Sequence, residues 1–283
     1  MIRNGGNIMI IDLTYKCSMG CSHCMSSCDE NGEEMSLTTL NDVCDFIENR
    51  RIDTIQPLIL GISGGEIFEH SQILDCLDII FERFGSRKNI AFMLASNGRV
   101  LSETPEYLGY LKNVKSKYGK QKIVIQITDD DRFYPTKLTT KQRYYLEKMG
   151  AVIDTVPGDK EDRNKCLYPQ GRALLNYNES YWNTKAPKCV NCRLLAHQGI
   201  NTFKDLVQTM TTHMKNCTPS ISPLGEIKLG ESRLCPAIAT IYNSDKEIFD
   251  NIRNCKCSSC QESIKIFNQD NSLLSNLLYS IEK

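Results

Sequence analysis

Four cysteines fall within a short stretch near the start of the chain, "LTYKCSMGCSHCMSSC", which runs from Leu13 to Cys28. The spacing Cys17-x3-Cys21-x2-Cys24 differs from the two Cys-x2-Cys pairs that are typical of structural zinc. Three thiolates in an irregular loop can instead bind three corners of a 4Fe–4S cluster. Because the fourth iron then lacks a protein ligand, this spacing indicates a metal site with an open, reactive position, and zinc is the weaker alternative.

The fourth cysteine of this stretch, Cys28, leaves a second interpretation open. If Cys28 were the fourth ligand, the run of gaps would approach that of a ferredoxin, and the cluster would only carry electrons. A small electron carrier does not need a long strand–helix scaffold, nor the motif "SGGE" at Ser63–Glu66. We therefore expect Cys28 to be a free thiol beside the cluster, with a non-enzymatic iron–sulfur electron carrier as the alternative.

Composition limits the class of protein. The chain has 283 residues, with 34 Lys+Arg against 34 Asp+Glu, so its formal net charge is zero. This balance argues against a nucleic-acid or membrane-surface partner, and the sequence has no run of about 18 apolar residues that could span a bilayer. The first residues lack the pattern of a signal peptide. With 14 cysteines and no export signal, the chain is expected to be a cytoplasmic metalloprotein.

Apolar segments alternate with helical patterns up to about residue 160, which predicts an α/β fold with a parallel sheet covered by helices. Beyond that point the alternation stops and the cysteines become frequent. We therefore expect two domains, 1–165 and 166–283. The predicted strands are 8–14, 57–63, 89–95, 122–128 and 151–156, and the predicted helices include 37–49, 71–84, 202–215 and 273–281.

The motifs of residues 8–130 resemble those of the radical S-adenosylmethionine (SAM) enzymes: "LTYKC" leading into the three cysteines, then "SGGE", "ASNG" and "IQITDD". The resemblance implies a partial (β/α) barrel of five or six parallel strands, with the cluster at their carboxyl ends. It also implies that the amino and carboxylate groups of SAM bind the open iron. Reductive cleavage of SAM then yields methionine and a 5′-deoxyadenosyl radical, which abstracts hydrogen from a substrate.

The same resemblance assigns roles to residues of the first two motifs. Gly64 and Gly65 allow the backbone to approach SAM closely, and Glu66 offers a carboxylate to its ammonium group. His23 occupies the position before the last cysteine, where this family usually has an aromatic residue against the adenine. Histidine is a departure from that pattern, and a surface histidine is the alternative.

Further cofactor-binding residues are implied at the strand ends. Ser96 and Asn97 follow the third strand, and Gln126 and Thr128 end the fourth in the manner of the positions that contact ribose. The alternative for these residues is hydrogen bonding at the strand ends alone. In "PQGRALL", Arg172 is expected to bind the SAM carboxylate in a bidentate pair, with an ordinary surface arginine as the alternative.

The cysteines after residue 160 loosely resemble the SPASM or twitch extension, which implies one or two auxiliary iron–sulfur clusters. A zinc site is the alternative. By contrast, Cys44 and Cys76 lie on apolar helix faces and are expected to be buried. The candidate auxiliary ligands are Cys166, Cys189, Cys192, Cys217, Cys235, Cys255, Cys257 and Cys260.

Relatives with such extensions often modify ribosomal peptides, so the resemblance implies a peptide substrate, with epimerisation or crosslinking as the reaction. The alternatives are a small metabolite or nucleoside as substrate, or a glycyl-radical activase. A flavodoxin- or ferredoxin-type protein is the expected electron donor, and anaerobic conditions are expected for activity.

Overall fold

The computed structural model describes residues 7–156, 162–168, 170–182, 200–213, 218–230 and 232–254. Its strands are β1 (Asn7–Thr14), β2 (Leu58–Gly64), β3 (Ile90–Ser96), β4 (Ile123–Thr128), β5 (Ala151–Asp154), β6 (Ser220–Ile221), β7 (Glu226–Lys228) and β8 (Ala237–Thr240). Its helices are α1 (Leu37–Asn49), α2 (Ile73–Phe84), α3 (Arg99–Glu103), α4 (Pro105–Tyr118), α5 (Thr140–Lys148), α6 (Gly171–Asn176), α7 (Phe203–His213) and α8 (Asp245–Asn254).

The strands form one open sheet in the order β5-β4-β3-β2-β1-β6-β7-β8. Strands β1 to β5 are parallel, and β6 is parallel to β1, whereas β7 and β8 are antiparallel to their neighbours. This confirms the predicted α/β fold with a partial barrel. In the described residues the sixth parallel strand lies beside β1, on the opposite side from β5, and comes from the C-terminal part of the chain.

The helices form where capping residues and apolar stripes favour them. The Ser36 side chain accepts a hydrogen bond from the Thr39 N–H at the start of α1, and Thr139 and Gln142 form a capping box at α5. The apolar faces of α1 and α2 pack into the main core with the side chains of β1 to β4. Cys44 and Cys76 are fully buried there, as predicted.

The predicted strands agree with the structure to within two residues, because continuous apolar runs mark buried parallel strands clearly. The helix predicted at 202–215 corresponds to α7, whereas the one predicted at 273–281 lies outside the described residues. Helices α6 and α8 and the short strands β6 to β8 were not predicted. In the part of the chain that the structure covers, no helix is long and apolar enough to cross a membrane.

Candidate functional site

The first three cysteines lie in the loop that follows β1, which we call the cysteine loop (Cys17–Cys28). Its start is held by a hydrogen bond from the Cys17 N–H to the Asp29 carbonyl, at 2.8 Å. Within the loop, the Cys24 N–H donates to the Cys21 carbonyl. Gly20 has a φ of +65°, a conformation that favours glycine. The turn required for closely spaced cysteines is therefore built into this loop.

A cavity of about 490 Å³ lies between the cysteine loop and the carboxyl ends of β2, β3 and β4. This volume falls in the usual range for small-molecule sites, about 300–1,000 Å³. The structure brings most of the predicted site residues to its wall, but Glu66, Gln126 and Arg172 are not among the described residues that line it. The predicted SAM-binding residues and cysteines of the first motif that line it are Cys17, Cys21, His23, Cys24, Gly64, Gly65, Ser96, Asn97 and Thr128.

Two of the three loop thiols are protonated at neutral pH when no metal is bound. Burial raises the pKa of Cys17 to about 11 and that of Cys21 to about 12. The pKa of Cys24 is lowered, chiefly because the Cys28 thiol donates a hydrogen bond to it. Metal binding at such a site releases protons, so cluster assembly is favoured by rising pH.

The arrangement of these thiols differs from that of a single-ion site. Among the described residues, no three His, Cys, Asp or Glu side chains converge closely enough to hold one metal ion. In a 4Fe–4S cluster each cysteine binds a different iron, so its ligands do not have to converge on a single ion. The three cysteines around the cavity are compatible with this mode of binding, and a cluster at this place stays a prediction.

The two glycines of "SGGE" pack against the backbone that leads into the cysteine loop. The Gly65 N–H donates to the Thr14 carbonyl at 2.6 Å, and the Glu66 N–H donates to the Lys16 carbonyl at 2.8 Å. A Cβ added at Gly64 would lie 2.0 Å from the Thr14 carbonyl oxygen, and one at Gly65 would lie 2.2 Å from that of Lys16. These glycines are thus required for the contact between β2 and the loop, in addition to lining the cavity.

Glu66 is fully buried and holds the end of β3. Its Oε1 accepts hydrogen bonds from the Ser96 hydroxyl at 2.8 Å and the Phe68 N–H at 3.1 Å, and its Oε2 accepts one from the Asn97 N–H at 2.7 Å. Burial raises the pKa of Glu66 to about 7, although these hydrogen bonds oppose the change. The carboxylate thus orients Ser96 and Asn97 at the cavity, and its ion pair with SAM stays a prediction.

His23 projects from the cysteine loop toward an aromatic pair. Its ring centroid lies 5.0 Å from that of Phe133 and 5.2 Å from that of Tyr134. Burial lowers the pKa of His23 to about 4, so the ring is neutral at neutral pH. Its Nδ1 atom is buried and has no hydrogen-bond partner among the described residues. A neutral ring with an unpaired nitrogen at the cavity wall suits a flat heterocycle such as adenine.

The strand-end residues divide into two groups. Ser96, Asn97 and Thr128 line the cavity, whereas Gln126 lies one residue pair farther back along β4, next to Ala95 of β3. Asn97 also accepts a hydrogen bond from the Arg99 N–H at 3.0 Å, which starts α3. The role of Gln126 as a ribose contact stays a prediction.

Arg172 lies beneath the cysteine loop and bonds to its backbone. Its Nε donates to the Cys21 carbonyl at 2.8 Å, and its Nη1 donates to the Cys28 carbonyl at 2.9 Å. These contacts direct two N–H groups of the guanidinium, which the sequence-based prediction assigned to the SAM carboxylate, to carbonyls of the loop. Its role in SAM binding stays a prediction, and the observed partners are loop carbonyls.

Of the later cysteines, two lie in the described part of the chain. Cys166 is buried and lines the same cavity as the first three cysteines. Cys235 is partly exposed, and a Cβ added at Gly230 would lie 2.7 Å from its sulfur. The remaining candidates for auxiliary ligands lie outside the described residues: Cys189, Cys192, Cys217, Cys255, Cys257 and Cys260.

Some residues at the cavity were not recognised as binding residues from the sequence. Tyr134 lines the cavity together with Tyr168. Tyr134 is positioned by the turn after β4, where Asp130 accepts hydrogen bonds from Arg132 and from the Val156 N–H at 2.8 Å. The motif "TDDDRFY" at the end of a strand was the available signal.

The resemblance to radical SAM enzymes is supported by one sequence relative and by several solved structures. AlbA, the antilisterial bacteriocin subtilosin biosynthesis protein of Bacillus subtilis (strain 168), is 29% identical to this chain over 120 residues. Those residues are 42% of this chain but only 23% of AlbA, so most of that relative has no counterpart in the match. No protein-family profile matches the chain.

Solved structures share the fold along most of the chain. BtrN in complex with AdoMet and 2-DOIA has a TM-score of 0.52 at 12% identity, covering 91% of this chain and 89% of BtrN. Native anSMEcpe with bound AdoMet and Cp18Cys peptide also has a TM-score of 0.52 at 12% identity, covering 87% and 81%. Streptococcus suis SuiB bound to precursor peptide SuiA has a TM-score of 0.50 at 16% identity, covering 91% and 69%. These neighbours are radical SAM enzymes, so the resemblance is confirmed at the level of the fold.

Proposed function

We propose that this protein is a radical SAM enzyme, which cleaves SAM reductively and abstracts hydrogen from a substrate. The observation that carries the proposal is the cavity itself, where Cys17, Cys21 and Cys24 lie together with the strand-end residues of β2, β3 and β4. A 4Fe–4S cluster on these three thiolates would supply the electron that cleaves SAM. A flavodoxin- or ferredoxin-type protein is the proposed source of that electron.

The residues of the chain would bind SAM and exclude water. Gly64 and Gly65 keep the backbone of the β2 end close to the cysteine loop, and Glu66 holds the Ser96 hydroxyl and the Asn97 backbone N–H. His23 offers a neutral ring and an unpaired Nδ1 to the adenine. Apolar and aromatic side chains such as Tyr134 line the remainder of the cavity.

A ribosomal peptide is the proposed substrate, with epimerisation or crosslinking as the reaction. Support comes from AlbA, a bacteriocin biosynthesis protein, and from the shared fold of SuiB with its precursor peptide and of anSMEcpe with its bound peptide. The equal similarity to BtrN with 2-DOIA keeps a small metabolite as the alternative. Auxiliary iron–sulfur clusters on the later cysteines are part of the proposal.

The proposed reaction is tested by measuring 5′-deoxyadenosine after anaerobic reconstitution with iron and sulfide and addition of SAM and dithionite. Cys17→Ala, Cys21→Ala and Cys24→Ala are each expected to abolish the product, because each removes one of the three cluster ligands. Cys44→Ala is the matched control, since Cys44 is buried in the core away from the cavity, and it should retain product formation. If the wild type forms no 5′-deoxyadenosine while holding a cluster, the proposal is wrong.

The substrate class is tested with peptides encoded beside the gene. A peptide that increases 5′-deoxyadenosine formation and is itself changed in mass or in the configuration of one residue supports peptide modification. Stimulation by small metabolites or nucleosides alone, with every such peptide inert, would favour the alternative substrate class.

A further inference from the structure

Arg172 makes three hydrogen bonds to the cysteine loop, although it lies far from that loop in the sequence. Besides its two side-chain bonds to the carbonyls of Cys21 and Cys28, its own backbone N–H donates to the Cys24 carbonyl at 2.9 Å. These carbonyls belong to two of the proposed cluster ligands and to the thiol that contacts Cys24. Arg172 thus connects the beginning, the middle and the end of the segment from Cys21 to Cys28.

The residue before Arg172 allows this close approach. Gly171 has a φ of +54°, and a Cβ added there would lie 2.6 Å from the Cys24 carbonyl oxygen and 2.5 Å from that of Met25. Any larger side chain would therefore push α6 away from the loop. The conformation and the close contact both favour glycine at this position.

The rest of α6 fastens this segment along the loop, and we call Gly171–Tyr177 the strap. Asn176 donates from Nδ2 to the Ser22 carbonyl at 3.0 Å, and the Tyr177 hydroxyl forms a hydrogen bond with the Ser22 hydroxyl. Ala173 is fully buried in a small cluster of apolar side chains. That cluster also contains Phe133, Cys166, Leu167 and Trp182.

We propose that Arg172 is a positioning residue, which fixes the cysteine loop in the shape that binds the cluster and does not itself bind SAM. The inference rests on the proposed function, because it assumes a cluster on Cys17, Cys21 and Cys24. A guanidinium that bonds two carbonyls in its plane fixes the distance and angle between them, which a lysine ammonium does not. Free movement of Cys21 relative to Cys24 would weaken a cluster that needs both thiolates at once.

The charge of Arg172 has a second consequence. A cation next to a negatively charged cluster favours the reduced state, because reduction adds a further negative charge. Arg172 is therefore expected to raise the reduction potential of the cluster, in addition to helping the protein retain it. A purely structural arginine far from the cavity would affect neither property.

The experiment compares Arg172→Ala and Arg172→Lys with the wild type after anaerobic reconstitution. Iron release to a chelator and the midpoint potential of the cluster are measured. Removal of groups that hydrogen-bond to metal ligands typically costs about 10–100-fold in metal affinity, so Arg172→Ala should release iron faster by about that factor and shift the potential to more negative values. Arg172→Lys keeps the charge and loses the planar fork, so it should release iron faster with little change in potential.

Two further variants keep the result interpretable if Arg172→Ala folds poorly. Gly171→Ala retains the guanidinium but displaces the strap, and it should also accelerate iron release. Arg50→Lys is the matched control, because Arg50 similarly donates to a distant backbone carbonyl, that of Asn243, and pairs with Asp245 at 3.1 Å, away from the cavity. It should leave iron release and potential unchanged.

The outcomes separate this inference from the proposed function. If the wild type binds no iron–sulfur cluster, both are wrong. If the wild type binds a cluster and Arg172→Ala matches it in iron release and potential, the positioning role is wrong. If in that case the dissociation constant for SAM increases, Arg172 binds the SAM carboxylate as the sequence-based prediction held.

Discussion

Replacing Glu66 by Gln tests how the buried carboxylate contributes to the site. Glutamine has nearly the same shape, and its carbonyl oxygen can still accept from the Ser96 hydroxyl and the Phe68 N–H. Its amide group is a donor, as is a protonated carboxyl, so it cannot accept from the Asn97 N–H. The variant therefore imitates the protonated form of Glu66 at every pH.

The magnitude follows from the pKa of Glu66, which burial raises from 4.5 to about 7. A group whose pKa is higher in the folded state stabilises the fold fully below its unfolded pKa, and this contribution is lost as the pH rises through the folded pKa. At about 1.36 kcal/mol per pH unit, the wild type should lose roughly 2.5 kcal/mol relative to Glu66→Gln between pH 5 and pH 8. The Gln variant is thus expected to be the more stable protein at pH 8.

The assay is urea denaturation of the cluster-free protein under anaerobic, reducing conditions at both pH values. The difference in the free energy of unfolding between variant and wild type should be small at pH 5 and should favour Glu66→Gln at pH 8. If the variant is less stable than the wild type by the same amount at both pH values, Glu66 is ionised throughout. In that case the hydrogen bonds of the carboxylate would lower the pKa of Glu66 by more than burial raises it.

Four further changes test other parts of the site. Glu66→Ala should weaken SAM binding, measured by equilibrium dialysis, with iron content unchanged, since it frees Ser96 and Asn97 but leaves the thiols in place; unchanged affinity would remove Glu66 from the site. His23→Phe keeps the ring contacts but removes Nδ1, so it should keep the stability of the wild type and weaken SAM binding, whereas His23→Ala should lower the free energy of unfolding by about 2–3 kcal/mol; equal stability of the two variants would contradict this packing role. Gly65→Ala should prevent cluster retention, because its Cβ would meet the Lys16 carbonyl, and normal iron content would refute that constraint. Cys28→Ala should preserve 5′-deoxyadenosine formation, and complete loss would make Cys28 a ligand.

Local motifs were sufficient to predict which residues meet at the cavity. The spacing of Cys17, Cys21 and Cys24 and the glycines of "SGGE" are short-range signals, and alternating strands and helices bring the ends of parallel strands to one edge. For the same reason β1 to β5 were predicted well. In contrast, the two residues of β6 are too few to produce a periodic pattern, so its place beside β1 depends on pairing with a distant strand.

Side-chain orientation was harder to predict than position. Whether Glu66 faces the cavity or the interior depends on Ser96 and Asn97, which come from another strand, and on the short turn that follows the motif. The partners of Arg172 are about 150 residues earlier in the chain, and no local pattern identifies them. The auxiliary cluster ligands stay predictions where they lie outside the described residues.

The most direct test of the account is whether SAM binds to the cluster itself. Electron–nuclear double resonance of the reduced enzyme, with SAM labelled with ¹⁵N in its amino group, measures contact between that nitrogen and the open iron. We expect a clear ¹⁵N coupling in the wild type and in Cys28→Ala, and none in the Cys17/Cys21/Cys24 triple alanine variant. A reduced wild-type cluster that shows no coupling with saturating SAM would contradict this expectation and favour an electron carrier with four cysteine ligands.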